Sequence, residues 1–227
     1  MDAKYLFYIT LVISIIVQII TGIIDIVAFF VKVPTIYSII KQLLILELVV
    51  QIFEGSFYVW LAYNFTKVLN VTPKRYIDWI ITTPSMLITL MMYLIYLSER
   101  VKNKTCELDF FTLFKNNLQI FITVLLLNWL MLLFGYLGEM NIIPVFLGVF
   151  LGFIPFLIYY YIIYVNYVTQ NGIEKLLFWY FFFFWSLYGF AAVLPYYVKN
   201  SMYNILDLFA KNFFGVFLSY IILSGNY

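Results

Sequence analysis

Two pairs of ionisable residues stand at helical spacing inside otherwise apolar stretches of this sequence. Asp207 and Lys211 are four residues apart in DLFAKNFFG, and Arg75 and Asp78 are three residues apart in RYIDWIITTPSM. Spacings of three and four bring side chains to one face of a helix. A charged side chain at the centre of a bilayer costs roughly 2.5–3.5 kcal/mol on insertion scales, so such residues are candidates for function.

The chemistry that a buried lysine supports well is imine formation with an aldehyde. A desolvated amine favours its neutral form, which is the nucleophile for a carbonyl group. A protonated imine in a medium of low dielectric then needs a carboxylate counterion. Asp78 and Asp207 are the two candidates, and Arg75 would balance the second negative charge. The residues therefore indicate an aldehyde cofactor attached to Lys211.

A structural alternative is that the two acids and two bases only clamp the helices together as an ion cluster. Against it stand aromatic residues that could form the walls of a site for a flat apolar ligand, namely Trp79, Trp185, Tyr188 and Phe213. Aromatic residues make up 22% of the chain, however, and aromatic side chains in a membrane protein more often pack in the core or face lipid. The ion cluster and the aromatic residues together favour a ligand site.

The composition indicates a membrane protein. Of the 227 residues, 65% are hydrophobic and 11% are charged, and the mean hydropathy is +1.00. Soluble domains average about 45–50% apolar and about 25% charged residues, so water-soluble folds are excluded. At about 20 residues per span, the chain holds about seven helices. The single cysteine, Cys106, and the lack of histidine argue against a disulfide framework or a metal site.

Apolar runs are the main guide to the helices. They cover residues 5–31, 36–63, 77–97, 117–137, 142–168, 173–198 and 202–223, and the breaks between them carry turn-forming or charged residues. We therefore expect an all-α bundle of seven membrane-spanning helices in a single domain over residues 1–227, with no extramembrane domain. The first run lacks a cationic start and a small-residue cleavage site, so we expect it to be retained as a helix.

Basic residues predict the orientation of the bundle. One side carries Lys32, Lys41, Arg100, Lys102, Lys104, Lys115 and Lys175, and the other carries Lys4, Lys67, Lys74 and Lys199. The positive-inside rule then places the N-terminus outside and the C-terminus in the cytoplasm.

The two ionisable motifs resemble signatures of the microbial (type 1) rhodopsins, which are seven-helix retinal proteins. RYIDWIITTPSM is similar to the pattern R-Y-x-D-W-x-x-T-T-P of their third helix, and LDLFAKNFFG is similar to D-x-x-x-K with a following glycine in their seventh. Both motifs occur in the correct order, and the resemblance covers essentially the whole chain. It implies that Lys211 carries all-trans retinal as a Schiff base.

The resemblance also implies roles for other residues. Asp78 would be the primary counterion and proton acceptor, Asp207 the second counterion, and Arg75 would lie on their extracellular side, with Thr82 one turn beyond Asp78. The residues implied to surround the cofactor are Trp79, Thr83, Met86, Asn128, Met131, Gly135, Trp185 and Tyr188. Gly189 and Ala192 depart from the larger residues of the family and predict a looser ring end of the pocket.

The first two predicted helices and the residue after the lysine carry additional polar side chains: Ser14, Gln18, Glu47, Gln51, Glu54 and Asn212. A lone polar residue in a membrane most often joins helices by a hydrogen bond. Two glutamates seven residues apart lie on nearly one helix face and suggest a hydrated path. Channelrhodopsins resemble this pattern, and their central constriction would correspond to Ser14, Glu54 and Asn212.

The combination looks most like the rhodopsins of giant algal viruses, whose first group is proposed to comprise light-gated cation channels. We expect a retinal-binding light-gated cation channel, not an enzyme, integral to a host-cell or viral membrane. Its partners would be retinal, the lipid bilayer, and monovalent cations or protons, with no nucleic acid. The apolar surface is compatible with a monomer or a homo-oligomer.

Other activities of the family fit the sequence less well. An outward proton pump is the main alternative, but pumps usually carry a carboxylic acid two turns beyond Thr82, where this chain has Thr89, which cannot return a proton. Short loops and the missing transducer domain argue against a photosensor. Sodium and chloride pumps differ from Asp78, Thr82 and Thr89 on the third helix.

Overall fold

The computed structural model describes residues 2–102, 107–168 and 172–227, which are helical except for the connections. In order, the elements are α1 (Ala3–Phe30), a 3₁₀ turn (Thr35–Tyr37), α2 (Ser38–Asn64), α3 (Thr72–Lys102), α4 (Phe110–Asn116), α5 (Leu118–Glu139), α6 (Val145–Tyr167), α7 (Ile173–Ala192), α8 (Tyr196–Asp207), a π-helical segment (Leu208–Asn212) and α9 (Phe213–Ser224). Lys104 and Cys106, which entered the sequence analysis, lie outside the described residues.

Seven segments within those ranges are long and apolar enough to cross a membrane. They are α1, the 3₁₀ turn with α2, α3, α5, α6, α7, and the continuous span formed by α8, the π segment and α9. The expected all-helical fold with seven spans is therefore confirmed. An odd number of spans places the two termini at opposite ends, which we call the N-terminal end and the C-terminal end. Which end faces the cytoplasm stays a prediction.

Two helix boundaries differ from the expected ones. α3 runs from Thr72 to Lys102 instead of 77–97, because its outer turns are polar and add nothing to an apolar run. Residues 196–198 belong to the seventh span and not to the sixth. Pro195 occupies the N-cap of α8 with φ −55° and ψ 147°, an extended conformation in which the sixth helix cannot continue.

The short helix α4 was not anticipated from the apolar runs. Its N-cap is Asp109, whose carboxylate accepts hydrogen bonds from the Thr112 backbone N–H at 2.8 Å and the Thr112 hydroxyl at 2.9 Å. The backbone N–H of Thr112 is the main reason that the pKa of Asp109 is lowered from its ordinary value. Capping, rather than hydrophobicity, therefore defines this element.

The ionisable motifs lie on the two most buried spans, α3 and the α8–α9 span. α1 lies at the periphery, and its outward residues Ile16, Ile19 and Ile23 are 51–58% exposed to the surroundings of the bundle. A hydrophobic exterior and a polar interior are the arrangement that a lipid environment requires. Both ionisable motifs therefore lie in the interior of the bundle.

Helices α5 and α6 approach closely at two glycines. A Cβ atom built on Gly148 would lie 2.8 Å from the Phe134 carbonyl oxygen and 3.2 Å from the Gly138 Cα atom. Small residues at such contacts let helix backbones pack by van der Waals attraction where no hydrophobic effect acts between them. Gly138 and Gly148 therefore set the distance between these two helices.

We predict that Gly148→Ala lowers the free energy of unfolding by about 1–3 kcal/mol, because a backbone carbonyl must shift to admit the methyl group. Gly22→Ala on α1 is the matched control, since its Cβ would meet nothing within 4 Å and alanine is the better helix former. Unfolding of both variants in mixed detergent micelles measures the difference. Equal stabilities would show that the close α5–α6 approach does not limit stability.

Candidate functional site

Lys211 lies in the π-helical segment that interrupts the seventh span. Single π-helical turns inside α-helices occur frequently at functional sites. The Phe209 carbonyl, in the same segment, accepts a hydrogen bond from the Tyr180 hydroxyl of α7 at 2.8 Å. A side chain of the neighbouring helix thus supports the irregular backbone that presents the lysine to the interior.

Three carboxyl groups surround the Lys211 ammonium, whose Nζ atom would be the imine nitrogen in the cofactor-bound protein. Nζ donates to the Asp78 Oδ2 atom and lies 3.6 Å from Asp207 Oδ1 and 4.0 Å from Glu54 Oε1. All four side chains are almost completely buried. The spans α2, α3 and α8–α9 therefore converge on one nitrogen atom.

A second layer toward the N-terminal end is built around Arg75. Its NH1 atom lies 3.4 Å from Asp207 Oδ2, and its Nε atom donates to Asn200 Oδ1 at 3.0 Å. NH2 donates to the Asn204 side-chain oxygen. Asp207 thus lies between the lysine and the arginine, which fits a carboxylate shared by two cations.

Two tyrosines complete the hydrogen bonding of Asp207. The Tyr58 hydroxyl donates to Oδ2 and the Tyr188 hydroxyl to Oδ1, both at 2.7 Å. An ionised carboxylate only accepts hydrogen bonds, and here both of its oxygens are occupied by hydroxyl donors and cations. Both oxygens of Asp207 are therefore satisfied, in contrast to Asp78, whose Oδ1 atom has no hydrogen-bond partner among the described residues.

The cluster contains one more acid than expected, since the sequence analysis paired two acids with two basic residues. Two cations, Arg75 and Lys211, face the three carboxyl groups of Asp78, Asp207 and Glu54. Neither carboxyl oxygen of Glu54 has a hydrogen-bond partner in the described part of the chain. Since an uncompensated charge in a membrane interior is costly, the third carboxyl group must hold a proton or be solvated by water.

An apolar cavity of about 110 Å³ begins at Lys211 and extends between α3, α5, α6 and α7. Of the residues implied by the resemblance, the following line it: Trp79, Thr83, Met86, Met131, Gly135, Trp185 and Tyr188. Gly189 and Ala192 lie at the same cavity, with the Phe153 ring packed so closely over Gly189 that a Cβ there would be 2.7 Å from it. The space opened by Gly189 is therefore filled by an aromatic ring.

Two of the implied residues lie beside the cavity and not on its wall. Asn128 donates to the Thr83 hydroxyl at 2.8 Å, and that hydroxyl donates to the Trp79 carbonyl at 2.7 Å. Thr82, completely buried, donates to the Asp78 backbone carbonyl at 3.0 Å. Asn128 therefore contacts a wall residue, Thr83, whereas Thr82 contacts the backbone of the lysine's partner, Asp78.

On the other side of the lysine, polar side chains lie along the interface between α1, α2 and the seventh span. We call it the polar column and define it by these residues: Ser14, Gln18, Thr21, Asp25, Gln51, Asn212 and Ser219. Gln18 donates to the Gln51 carbonyl at 3.1 Å, Asn212 to Thr21 at 2.8 Å, and Ser219 to Asp25 at 2.7 Å. Hydrogen-bonded side chains thus line the middle part of α1, from Ser14 to Asp25.

The three residues implied to form one constriction lie at different levels of the bundle. Ser14 donates to the Asn204 carbonyl at 3.1 Å, whereas Asn212, two helical turns farther along, donates to Thr21. Glu54 lies beside the lysine at 4.0 Å. Glu47, nearer the C-terminal end, is buried against Thr89 of α3, and its carboxyl oxygens lack hydrogen-bond partners among the described residues.

The structure adds residues that the sequence reasoning missed, chiefly Asp25, Tyr58, Asn200 and Asn204. A periodic signal for three of them was present. Residues 14, 18, 21 and 25 are polar at successive spacings of four, three and four, and so are residues 200, 204, 207 and 211. Such spacing marks one face of a helix. Tyr58 gave no comparable signal, because tyrosine is common throughout this chain.

The donor set fits an aldehyde cofactor held by Lys211. An apolar, aromatic cavity ends at the lysine nitrogen, and two buried aspartates stand beside that nitrogen. Lys199, the other buried lysine within the described residues, is instead paired with Glu139 at 2.6 Å and lies off the cavity. The chemistry of the site and the shape of the cavity therefore both indicate Lys211 as the lysine that would hold the cofactor.

Comparison with known proteins identifies the family. The model of the bacteriorhodopsin-like proteins matches residues 10–225, while no curated protein sequence matches the chain significantly. The crystal structure of viral rhodopsin OLPVRII superposes with a TM-score of 0.80 at 26% identity, covering 99% of both chains. Blue light-absorbing proteorhodopsin from Med12 gives a TM-score of 0.71 at 20% identity, covering 98% of both chains. The light-driven proton pump LR (Mac) from Leptosphaeria maculans gives a TM-score of 0.72 at 15% identity, covering 99% of this chain and 96% of that protein's chain. The chain is therefore an integral, multi-pass membrane protein and belongs to the bacteriorhodopsin-like family, whose members bind retinal through a lysine Schiff base.

Proposed function

We propose that this protein is a light-gated cation channel with all-trans retinal on Lys211. The observation that carries the proposal is the polar column, which runs beside the lysine and is accompanied by two buried glutamates, Glu47 and Glu54, whose carboxyl oxygens form no hydrogen bond among the described residues. Rings and files of carboxyl groups favour cations over anions.

The residues around Lys211 would have different roles in the response to light. Retinal bound to Lys211 would supply light absorption and isomerisation. Asp78, whose Oδ2 atom accepts the hydrogen bond of the lysine nitrogen, is placed to take its proton. Asp207 lies between Arg75 and the two tyrosine hydroxyls. Transfer of the proton to Asp78 would remove one of the two charge pairs between α3 and the seventh span and leave the other, Arg75–Asp207.

Loss of the lysine's charge pair would act directly on the polar column. Glu54 lies 4.0 Å from Lys211, and Asn212, the next residue in the chain, donates to Thr21 of α1. A change in charge or position at Lys211 therefore reaches α1 and α2 through contacts one residue away. In the predicted orientation, the column runs from Ser14, in the outer half of α1, to Asp25, in its cytoplasmic half.

An outward proton pump is the second candidate, and the position of Glu47 favours it. Glu47 of α2 is buried beside Thr89, the position on α3 where family pumps usually carry an acid. A carboxyl group there could return a proton to the site from the neighbouring helix. Comparable structures include proteins described as light-driven proton and ion pumps.

The first prediction for this function concerns the cofactor. Protein purified with retinal should be coloured, and Lys211→Ala should form no covalent pigment, because Lys211 is the amine facing Asp78 at the end of the cavity. Lys199→Ala is the matched control and should retain the pigment, since Lys199 is paired with Glu139. Borohydride trapping followed by peptide mass spectrometry identifies the labelled lysine, and a stable adduct at another lysine would contradict the assignment.

The second concerns the counterion. Asp78→Asn should shift the absorption maximum of the pigment to longer wavelength, because the negative charge beside the imine stabilises the ground state, in which positive charge is localised there. Glu99→Gln, on the exposed end of the same helix, should leave the spectrum unchanged. An unshifted Asp78→Asn spectrum would make Asp207 the main counterion.

The third separates a channel from a pump by whole-cell photocurrents at several voltages. A channel only lowers a barrier, so its current should reverse where the permeant cation is at equilibrium and should follow the external sodium and potassium gradients. Glu54→Gln should change the current size or selectivity. A photocurrent that stays outward at every voltage and ignores both cations would overturn the channel and promote the pump.

A further inference from the structure

Asp25 is a buried carboxyl group of the polar column to which the proposed function gives no role of its own. It lies on α1 with 0% exposure, toward the C-terminal end of the polar column. Within residues 2–102, 107–168 and 172–227, no lysine or arginine nitrogen lies within 4 Å of its oxygens. Since an unpaired carboxylate inside a membrane is costly and commonly marks an ion path, Asp25 needs a functional explanation.

Its hydrogen bonds come from neutral groups on two other spans. Ser219 of α9 donates to Oδ1 at 2.7 Å, and the Gln51 amide of α2 donates to Oδ2 at 3.4 Å. These donors orient the carboxyl group without neutralising it. Asp25 is therefore held at the meeting point of α1, α2 and α9, the three helices that border the column.

The backbone of the seventh span leaves room for this carboxyl group. A Cβ atom at Gly215 would overlap with Asp25 Oδ2 and lie 3.1 Å from its Cγ atom. Any larger residue at 215 would push the carboxyl group aside. The glycine that follows the lysine in the LDLFAKNFFG motif thus has a direct local function, which is to admit an acid from α1.

A second buried acid lies within electrostatic reach of Asp25. Asp25 acts through space on Glu47 of α2, whose own oxygens have no hydrogen-bond partner among the described residues. Neither carboxyl group has a lysine or arginine nitrogen within 4 Å in the described part of the chain, so their ionised forms would make the potential negative at this end of the column. A cation, or the water that accompanies it, is the species that such a potential attracts.

We propose that Asp25 is the inner carboxylate of the ion path and determines its selectivity for small cations over bulky ones and over anions. The proposal rests on the channel function proposed above. It differs from a purely structural role, in which Asp25 would only tie α1 to α9 through its hydrogen bond with Ser219. The two roles predict opposite results for two single substitutions.

The test is the shift in the reversal potential of the photocurrent when external sodium is replaced by the bulky cation N-methyl-D-glucamine. Asp25→Asn removes the charge but keeps an oxygen that accepts from Ser219. Asp25→Asn should reduce the sodium current roughly tenfold and make the shift in reversal potential smaller. The reason is that a unit charge a few ångströms from a cation interacts strongly with it inside a protein. Ser219→Ala removes the hydrogen bond but keeps the charge, and it should preserve the shift.

Each outcome is decisive. If the reversal potential of Asp25→Asn shifts as in the parent protein while that of Ser219→Ala no longer shifts, Asp25 has the structural role and the proposal is overturned. If Asp25→Asn yields no pigment, Gly215→Ala replaces it, since this variant displaces the carboxyl group with every charge retained, and an unchanged shift there also overturns the proposal. Glu99→Gln, a surface neutralisation at the same end, should behave as the parent protein. A parent current that never reverses refutes the channel itself, which distinguishes the two failures.

Discussion

The structure depends on the need to compensate a lysine cation inside a membrane-spanning bundle. Lys211 is almost completely buried, and acids from three different spans surround it: Asp78 from α3, Asp207 from its own span and Glu54 from α2. Arg75 then offsets the extra negative charge through Asp207. Because separated charges are so unfavourable in lipid, this cluster defines how the central helices are rotated and how far each is displaced along its axis.

The same lysine divides the interior into two chemically different halves. On one side, toward α5, α6 and α7, aromatic and small residues form the apolar cavity. On the other side, toward α1 and α2, hydrogen-bonding side chains form the polar column. A group attached to Lys211 would lie in the first half, while the charges at its nitrogen border the second. Under the proposed function, this division would couple absorption of light in one half to a response of the polar contacts in the other.

The helices on the two sides are also joined by different forces. α5 and α6 pack through the close approach of Gly138 and Gly148, a rigid contact between backbones. α1 is joined to α2 and the seventh span by an apolar cluster around Phe7 and Leu11 and, along the polar column, by side-chain amides and hydroxyls such as those of Gln18 and Thr21. Water can replace partners of this kind, whereas it cannot replace a backbone van der Waals contact. The rigid half suits a cofactor pocket, and the hydrogen-bonded half suits a path that takes up water.

Hydrophobicity and two short motifs were sufficient to predict seven spans and to single out Lys211, Asp78 and Asp207, because long apolar runs and i, i+4 spacing are local properties. The end of the sixth span and the helix capped by Asp109 were not predicted, since turns and caps contribute little to hydropathy. The sequence could not show that Glu54 comes within 4.0 Å of the lysine, or that Asp25 fits the space beside Gly215. Those contacts join residues more than 150 positions apart, and only the packing of whole helices determines which of their faces meet.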